Sequence, residues 1–222
     1  MDERDVKIDP RDQTYRLGAR PFELAHRVWD QFDLRGAAEP ELLGLRDLTS
    51  KTVRLGIFDA GEVLYIDQRE APRPLRIANG VGGRAAIHAS ALGKAIAHLG
   101  AVDRRALADA TELVAFTDHT ITSGGGLDQQ LNIIRVRGCA ISVDEHHMGV
   151  SAVAAAILDR RAAASGAIGI IAPSFRLDES QLHAPGREVM DAERRIAGNL
   201  GEVAMSISSH PRPLGRTADP AG

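Results

Sequence analysis

The amino-acid sequence predicts an α+β domain: an antiparallel sheet with helices packed on it. Three observations predict it. Val53, Leu55 and Ile57 alternate with polar or small neighbours, Asp59-Ala60-Gly61-Glu62 supplies turn chemistry, and Val63-Leu64-Tyr65-Ile66-Asp67-Gln68 returns, which is the pattern of a β-hairpin. Leu127, Leu131 and Ile134 then recur at helical spacing. Strand-like runs at 139–142, 150–158 and 166–172 follow, and a hairpin, helices and an antiparallel return together describe helices layered on one sheet.

Composition narrows the class. A chain of 222 residues makes one large domain or two small ones, given about 100–200 residues per domain. The hydrophobic fraction is 44% but only 4% is aromatic, so the core must be built from Ala, Val, Ile and Leu. A net charge of −3 offers no basic field for phosphates, and this chain by itself should bind nucleic acid poorly. The single cysteine, Cys139, excludes an intramolecular disulfide and a multi-cysteine zinc site and favours a reducing compartment. No apolar run approaches the roughly 18 residues of a membrane span, and the acidic start Met1-Asp2-Glu3-Arg4-Asp5 is not a signal peptide. A soluble, cytoplasmic protein without a membrane partner is expected.

Along the chain, residues 6–17 read as two short alternating segments around Asp9-Pro10-Arg11-Asp12, a hairpin. From Pro21 the residues Phe22, Leu24, Ala25, Val28, Trp29 and Phe32 follow helical spacing, with the proline placed for a first turn. A second helix over 39–48 puts Leu42, Leu45 and Leu48 on one face, and Ser50 bounds it. Leu75-Arg76-Ile77 is a further strand candidate. Gly80, Gly82 and Gly83 make a loop, and Ser90 is placed to cap a small-residue helix through Lys94, Ala97 and Leu99. Residues 101–116 are mixed helix and turn, and Gly138 stops the helix that begins near Leu127. A last helix over 179–200 is expected to break near Pro185-Gly186, and the Pro/Gly-rich end from His210 reads as a disordered tail.

Several of these segments carry a resemblance. Thr14-Tyr15-Arg16-Leu17-Gly18, the run Gly83-Arg84-Ala85-Ala86-Ile87-His88-Ala89-Ser90-Ala91-Leu92-Gly93-Lys94-Ala95, Phe116-Thr117-Asp118-His119-Thr120-Ile121, Arg135-Val136-Arg137-Gly138, and Asp144-Glu145 followed by Gly149-Val150 stand in an order similar to that of the IclR family of bacterial transcriptional regulators. The likeness runs from about Thr14 to about Leu200. It implies a GAF-like or profilin-like effector-binding domain over 37–205, a linker helix over 19–36, a remnant of a DNA-binding wing over 1–18, and a tail over 206–222. It also implies a homodimer or a dimer of dimers. Because the wing motif stands at the N-terminus, operator DNA would be reached only through a helix-turn-helix absent from this sequence.

The resemblance further implies a pocket for a small organic acid. The amides of Ala91 and Leu92 would hold its carboxylate at a helix start, where backbone N–H groups lack intrahelical partners; Ala85 and His88, just before them, are expected to contact the effector too. The opposite wall would come from Ser142, Val150, Ala152, Gly169 and Ile171. Relatives that take compact keto acids carry more polar side chains at these positions, so a roomier, more apolar cavity and an aromatic or medium-sized carboxylate are expected, because an unpartnered buried polar atom costs ~1–3 kcal/mol. Gly169→Phe is then expected to fill the cavity while leaving the fold largely intact.

Enzymatic readings are weaker. Asp144-Glu145-His146-His147 and Asp118-His119 hold metal-ligand residue types but lack H-E-x-x-H spacing and read as solvated loop residues. Cys139 begins a strand, away from any activating helix start, and reads as a buried structural thiol. No Gly-x-Ser-x-Gly elbow exists, and Gly80-Val81-Gly82-Gly83 is not a dinucleotide fingerprint. No catalytic residue, metal or cofactor is expected. Two other classes remain open: a free-standing sensor acting through protein contacts, and a hydrolase or metal-dependent enzyme on a related fold.

Overall fold

The structure, a computed structural model, describes residues 6–8, 15–17, 33–72, 80–99, 113–159, 164–177 and 180–208. The helix expected from Pro21, the strand candidate at 75–77, most of 101–116 and the tail beyond residue 208 lie outside them; residues 206–208, expected in the tail, continue the last helix. Near the N-terminus, β1 (Val6–Ile8) and β2 (Tyr15–Leu17) pair antiparallel with Val6 opposite Leu17, as the alternation around Asp9-Pro10 predicts.

One sheet organises the rest: β3 (Thr52–Asp59), β4 (Glu62–Arg69), β5 (Arg84–Ala86), β6 (Ala140–Val143), β7 (Val150–Leu158) and β8 (Ala164–Pro173), in the spatial order β5-β4-β3-β8-β7-β6. Every pairing is antiparallel. The β3–β4 hairpin turns on Ala60 (φ 49°) and Gly61 (φ 89°), the two positive φ values of a tight turn whose twist matches its strands. The three-residue β5, which the sequence reading leaves unassigned, is too short for a period-2 pattern to show.

The two faces of the sheet differ in side-chain size, and that difference positions everything else. On one face Val53, Leu55, Val153, Ile157, Ile168 and Ile170 meet two long helices, α1 (Asp33–Thr49) and α4 (His183–Ser208), through Leu42, Leu45, Val189 and Ile196. The other face is built largely from small residues, including Ala140, Ala154, Ala156 and Ala167, and carries α2 (Ala91–Ala97) and α3 (Gly124–Arg137). Branched residues fill the space under long helices. Alanines let the short, alanine-rich α2 lie close to the strands, and both arrangements remove apolar surface from water at about 25 cal/mol per Å².

The helices depart from expectation at their ends. α1 begins before residue 39 and runs through 36–37, where the sequence reading set a boundary, because Leu34, Ala37 and Ala38 continue the buried stripe. Pro40 sits inside this helix on its exposed side, where it removes the N–H that would bond the Gly36 carbonyl, a cost that the buried stripe of α1 offsets. Leu42 and Leu45 are buried but Leu48 is 66% exposed, so the stripe is covered by the chain's own core and ends one turn early. α4 does not break at Pro185; it starts at His183, which places the proline in a first turn whose N–H groups have no helical acceptor. Ser90 and Ser123 cap α2 and α3 by accepting from Gly93 N and Gly126 N, and Gly138 closes α3 at φ 85°. Among the described residues no helix is long and apolar enough to cross a membrane.

A candidate effector cavity between the second helix and the sheet

Where α2 starts above the small-residue face, the packing leaves a cavity of about 40 Å³. Arg54 of β3 and Tyr65 of β4 line one side, and Ala89, Ser90, Ala91 and Leu92 enter from the start of α2. Ser142 of β6, Val150 and Ala152 of β7, and Gly169, Ile170 and Ile171 of β8 form the floor, while His146 and His147 close it from the β6–β7 loop. Register explains the grouping: Arg54 and Ala154 flank Gly169, and Ala152 lies between Ser142 and Ile171.

Seven residues singled out from the sequence, Ala91, Leu92, Ser142, Val150, Ala152, Gly169 and Ile171, thus line one cavity. Ala85 and His88 are not on its wall. Ala85, on β5, is buried in the core, and the imidazole Nε2 of His88 lies 2.9 Å from the Val114 carbonyl oxygen, its ring 5.9 Å from Phe116. Sequence reasoning missed Arg54, Tyr65, His146 and His147. Arg54 had passed for the polar, outward half of an alternating strand, a reading that fails when helices cover both faces.

The room expected from Gly169 is not there. A Cβ at this position would stand 2.7 Å from the Val153 carbonyl oxygen, 2.8 Å from Ala154 Cβ and 3.1 Å from Leu92 Cδ1. The absent side chain lets Leu92 and the neighbouring strand close in, so Gly169→Phe would strike backbone and would not leave the fold intact.

The electrostatics centre on two buried cations. Arg54 is only 4% exposed; its Nε donates to Gln68 Oε1 at 2.8 Å and its guanidinium lies 4.6 Å from the centre of the Tyr65 ring. Burial pushes the Tyr65 hydroxyl above its usual pKa, and the charge and hydrogen bond of Arg54 act against that rise. The α2 ladder opens with Lys94 N donating to Ser90 O at 2.9 Å, and Ala91 and Leu92, ahead of it, line the cavity. Lys94, fully buried, donates through Nζ to both oxygens of Glu145 at 2.5 and 2.7 Å. Burial raises the pKa of Glu145; Lys94 foremost, then the Val143 N–H and the Ser142 hydroxyl, oppose it.

Glu145 is therefore an internal ion-pair partner rather than a solvated loop residue. The loop around it is fastened on several sides. Asp144 Oδ1 accepts from Gly149 N at 2.7 Å and Val150 N at 3.0 Å, and the hydroxyls of Thr117 and Thr120 donate at 2.6 Å to the carbonyls of Asp144 and Glu145. His146 stacks on Phe116 with ring centres 4.5 Å apart and meets His147 edge-on at 4.4 Å. Burial first, then the neighbouring His147 and His88, lower its pKa from 6.5 to about 4. Asp118 and His119 do lie exposed. Among the described residues no group of three His, Cys, Asp or Glu is placed to hold a metal. Cys139 is buried, and burial raises its thiol pKa against the opposing effect of Arg137.

This arrangement of sheet, α2 and loop has close parallels. The family profile described as "Bacterial transcriptional regulator IclR C-terminal" matches residues 26–197. The chain belongs to the IclR family. Among its relatives, the HTH-type transcriptional regulator BhcR of Paracoccus denitrificans is 31% identical over 193 residues, which are 86% of this chain and 69% of BhcR. The crystal structure of the Thermotoga maritima IclR superposes with a TM-score of 0.77 at 25% identity, covering 90% of this chain and 81% of that one. The C-terminal domain of Escherichia coli KdgR gives 0.65 at 26%, covering 77% of this chain and 99% of that domain. The α+β architecture expected from the sequence is that of IclR C-terminal domains, and the relatives are transcriptional regulators, in keeping with a regulatory rather than enzymatic role.

Proposed function

We propose that this IclR-family chain is the ligand-sensing region of a transcriptional regulator and that the cavity under α2 binds a small organic acid. The observation that carries the proposal is the convergence of Ala91, Leu92, Ser142, Val150, Ala152, Gly169 and Ile171 on one cavity. Volume supports one size class. About 40 Å³ holds a few water-sized groups at ~10–15 Å³ each, whereas a cavity that takes benzene has ~150 Å³. A compact carboxylic acid fits the space as it stands. The aromatic or medium-sized acid expected from the sequence requires the His146-His147 wall to move outward.

Regulation follows by linkage. An acid that binds one packing of α2 against the sheet better than another shifts the population of that packing, and with it the DNA affinity of the regulator. A homodimer or dimer of dimers belongs to the same reading. It rests on the apolar spacing of Phe22, Val28 and Trp29, since Leu42 and Leu45 are covered within the chain.

The test is a thermal-shift screen with glyoxylate, pyruvate, propionate and benzoate, repeated on Ala152→Leu, which fills the floor from within the lining. A bound acid at about 100 times its Kd should add ~2.7 kcal/mol of stability, and Ala152→Leu should remove the gain. An acid that stabilises both proteins equally binds elsewhere and defeats the proposal.

A further inference from the structure

We propose that the sensor takes up its acid together with a proton, which His146 receives on the cavity wall; this rests on reading the cavity as the effector site. His146 lines the space and is half-buried. It belongs to a cluster of rings: it stacks on Phe116 with centres 4.5 Å apart, meets His147 edge-on at 4.4 Å, and shares Phe116 with His88, whose ring centre lies 5.9 Å from that of Phe116. Burial, His147 and His88 all disfavour its charged form. At neutral pH the acid-free protein therefore carries a neutral imidazole here, and a neutral imidazole keeps one nitrogen with a lone pair that can receive a proton.

The other groups around the ring leave that role to a ligand. On its own loop Glu145 is held by Lys94, and Asp144 Oδ1 by the Gly149 and Val150 amides. On the Phe116 segment Asp118 and His119 lie exposed, and Arg54 of β3 and Tyr65 of β4 share the cavity wall. Among the described residues that line the cavity there is no Asp or Glu, and no carboxylate is among the influences that set the His146 pKa. An acid in a space of about 40 Å³ brings the first one, within the ~4–6 Å over which an opposite charge favours the protonated imidazole. Phe116 assists, because the face of an aromatic ring attracts a cation. The proton comes from solvent and binds the ring nitrogen that holds the lone pair, while the acid stays ionised. Linkage runs both ways: an acid that strengthens proton binding at His146 is itself bound more tightly by the protonated form, by the same factor. Affinity should be highest near the acid-free pKa of about 4. It should weaken by up to about tenfold per pH unit above that value, and level off above the pKa of the complex.

The experiment titrates pyruvate and glyoxylate, acids strong enough to stay ionised at pH 5.5, into wild type, His146→Asn and His119→Asn. Calorimetry in two buffers of different ionisation enthalpy counts the protons taken up per acid bound. Wild type is expected to take up at least about 0.6 proton at pH 5.5 and to bind at least about threefold more tightly there than at pH 7.5. His146→Asn should take up less than about 0.2 proton and bind with an affinity that no longer changes with pH. His119→Asn, which alters an exposed histidine of the Phe116 segment, should behave as wild type. Imidazole carbon signals of wild type, assigned through the backbone, give a reading that does not depend on a folded variant. Saturating acid should move the His146 ionisation from about 4 up to about 6 or above, and an unmoved ionisation overturns the proposal. An acid that binds wild type and is lost on Ala152→Leu, yet draws in no proton or draws in the same amount with His146→Asn, overturns the role of His146 and leaves the cavity reading standing. If neither acid binds wild type, the proton uptake falls; if propionate and benzoate fail as well, the cavity reading falls with it.

Discussion

Lys94 and Glu145, 51 residues apart in the chain, form a buried ion pair in which one ammonium donates to both carboxylate oxygens at 2.5 and 2.7 Å. It ties α2, which roofs the candidate cavity, to the loop that carries His146 and His147. Two charges removed from water repay their desolvation only in good geometry, and removing one partner strands the other. Lys94→Met or Glu145→Gln should each therefore cost ~3–5 kcal/mol. Lys94→Met combined with Glu145→Leu should cost less than the sum of the two single changes. Urea unfolding of the three variants measures this; additive losses would mean that the pair does not interact.

His146 gives the stability a pH dependence of known sign. Its folded pKa of about 4 lies below the ordinary 6.5, so the unfolded chain takes up the proton first as pH falls. The contribution is fully present above about 6.5 and is lost on the way down to about 4. A shift of that size is at most ~3 kcal/mol, and less for a ring in partial contact with solvent. Thermal melts between pH 7 and 4 should show a shallower decline in His146→Asn than in wild type. Parallel curves would contradict the burial of that ring.

Gly169 and Ala152 should respond to added bulk to different degrees. Even Gly169→Ala places a methyl 2.7 Å from the Val153 carbonyl oxygen, backbone that cannot swing aside, so a loss at or above the ~1–3 kcal/mol of overpacking is expected. Ala152→Leu grows into the cavity and should remain folded near the lower end of that range. Circular dichroism melts separate the two. A Gly169→Ala variant as stable as wild type would show that β7 and β8 are looser than their register implies.

These sites also show how far the sequence could be read. The β3–β4 hairpin, β7, the Ser90 cap and the Gly138 stop were legible because each follows from local pattern or from one residue's backbone preference. The span of α1 was not, since Leu34, Ala37 and Ala38 declare themselves only once the sheet face that covers them is known. Arg54 escaped for the same reason: an arginine among alternating residues reads as solvent-facing until α2 is laid over that face. Glu145 escaped because its partner, Lys94, is brought to it only by the fold. Gly93 carries a related lesson, for a Cβ there would lie 2.4 Å from the Ile87 carbonyl oxygen, so the Gly93-Lys94 pair marks close packing together with a buried charge, two demands that sequence shows as one motif.

The central claim is that the space under α2 is where a small acid is sensed, and amide chemical-shift mapping during a pyruvate titration tests it most directly. Isotope-labelled protein should show its largest saturable shifts at Ala91, Leu92, Ala152 and Gly169, together with the Arg54 side-chain Nε signal. Shifts centred instead on the outer edge of β6, at Ile141 and Val143, or spread without saturation, would contradict the account.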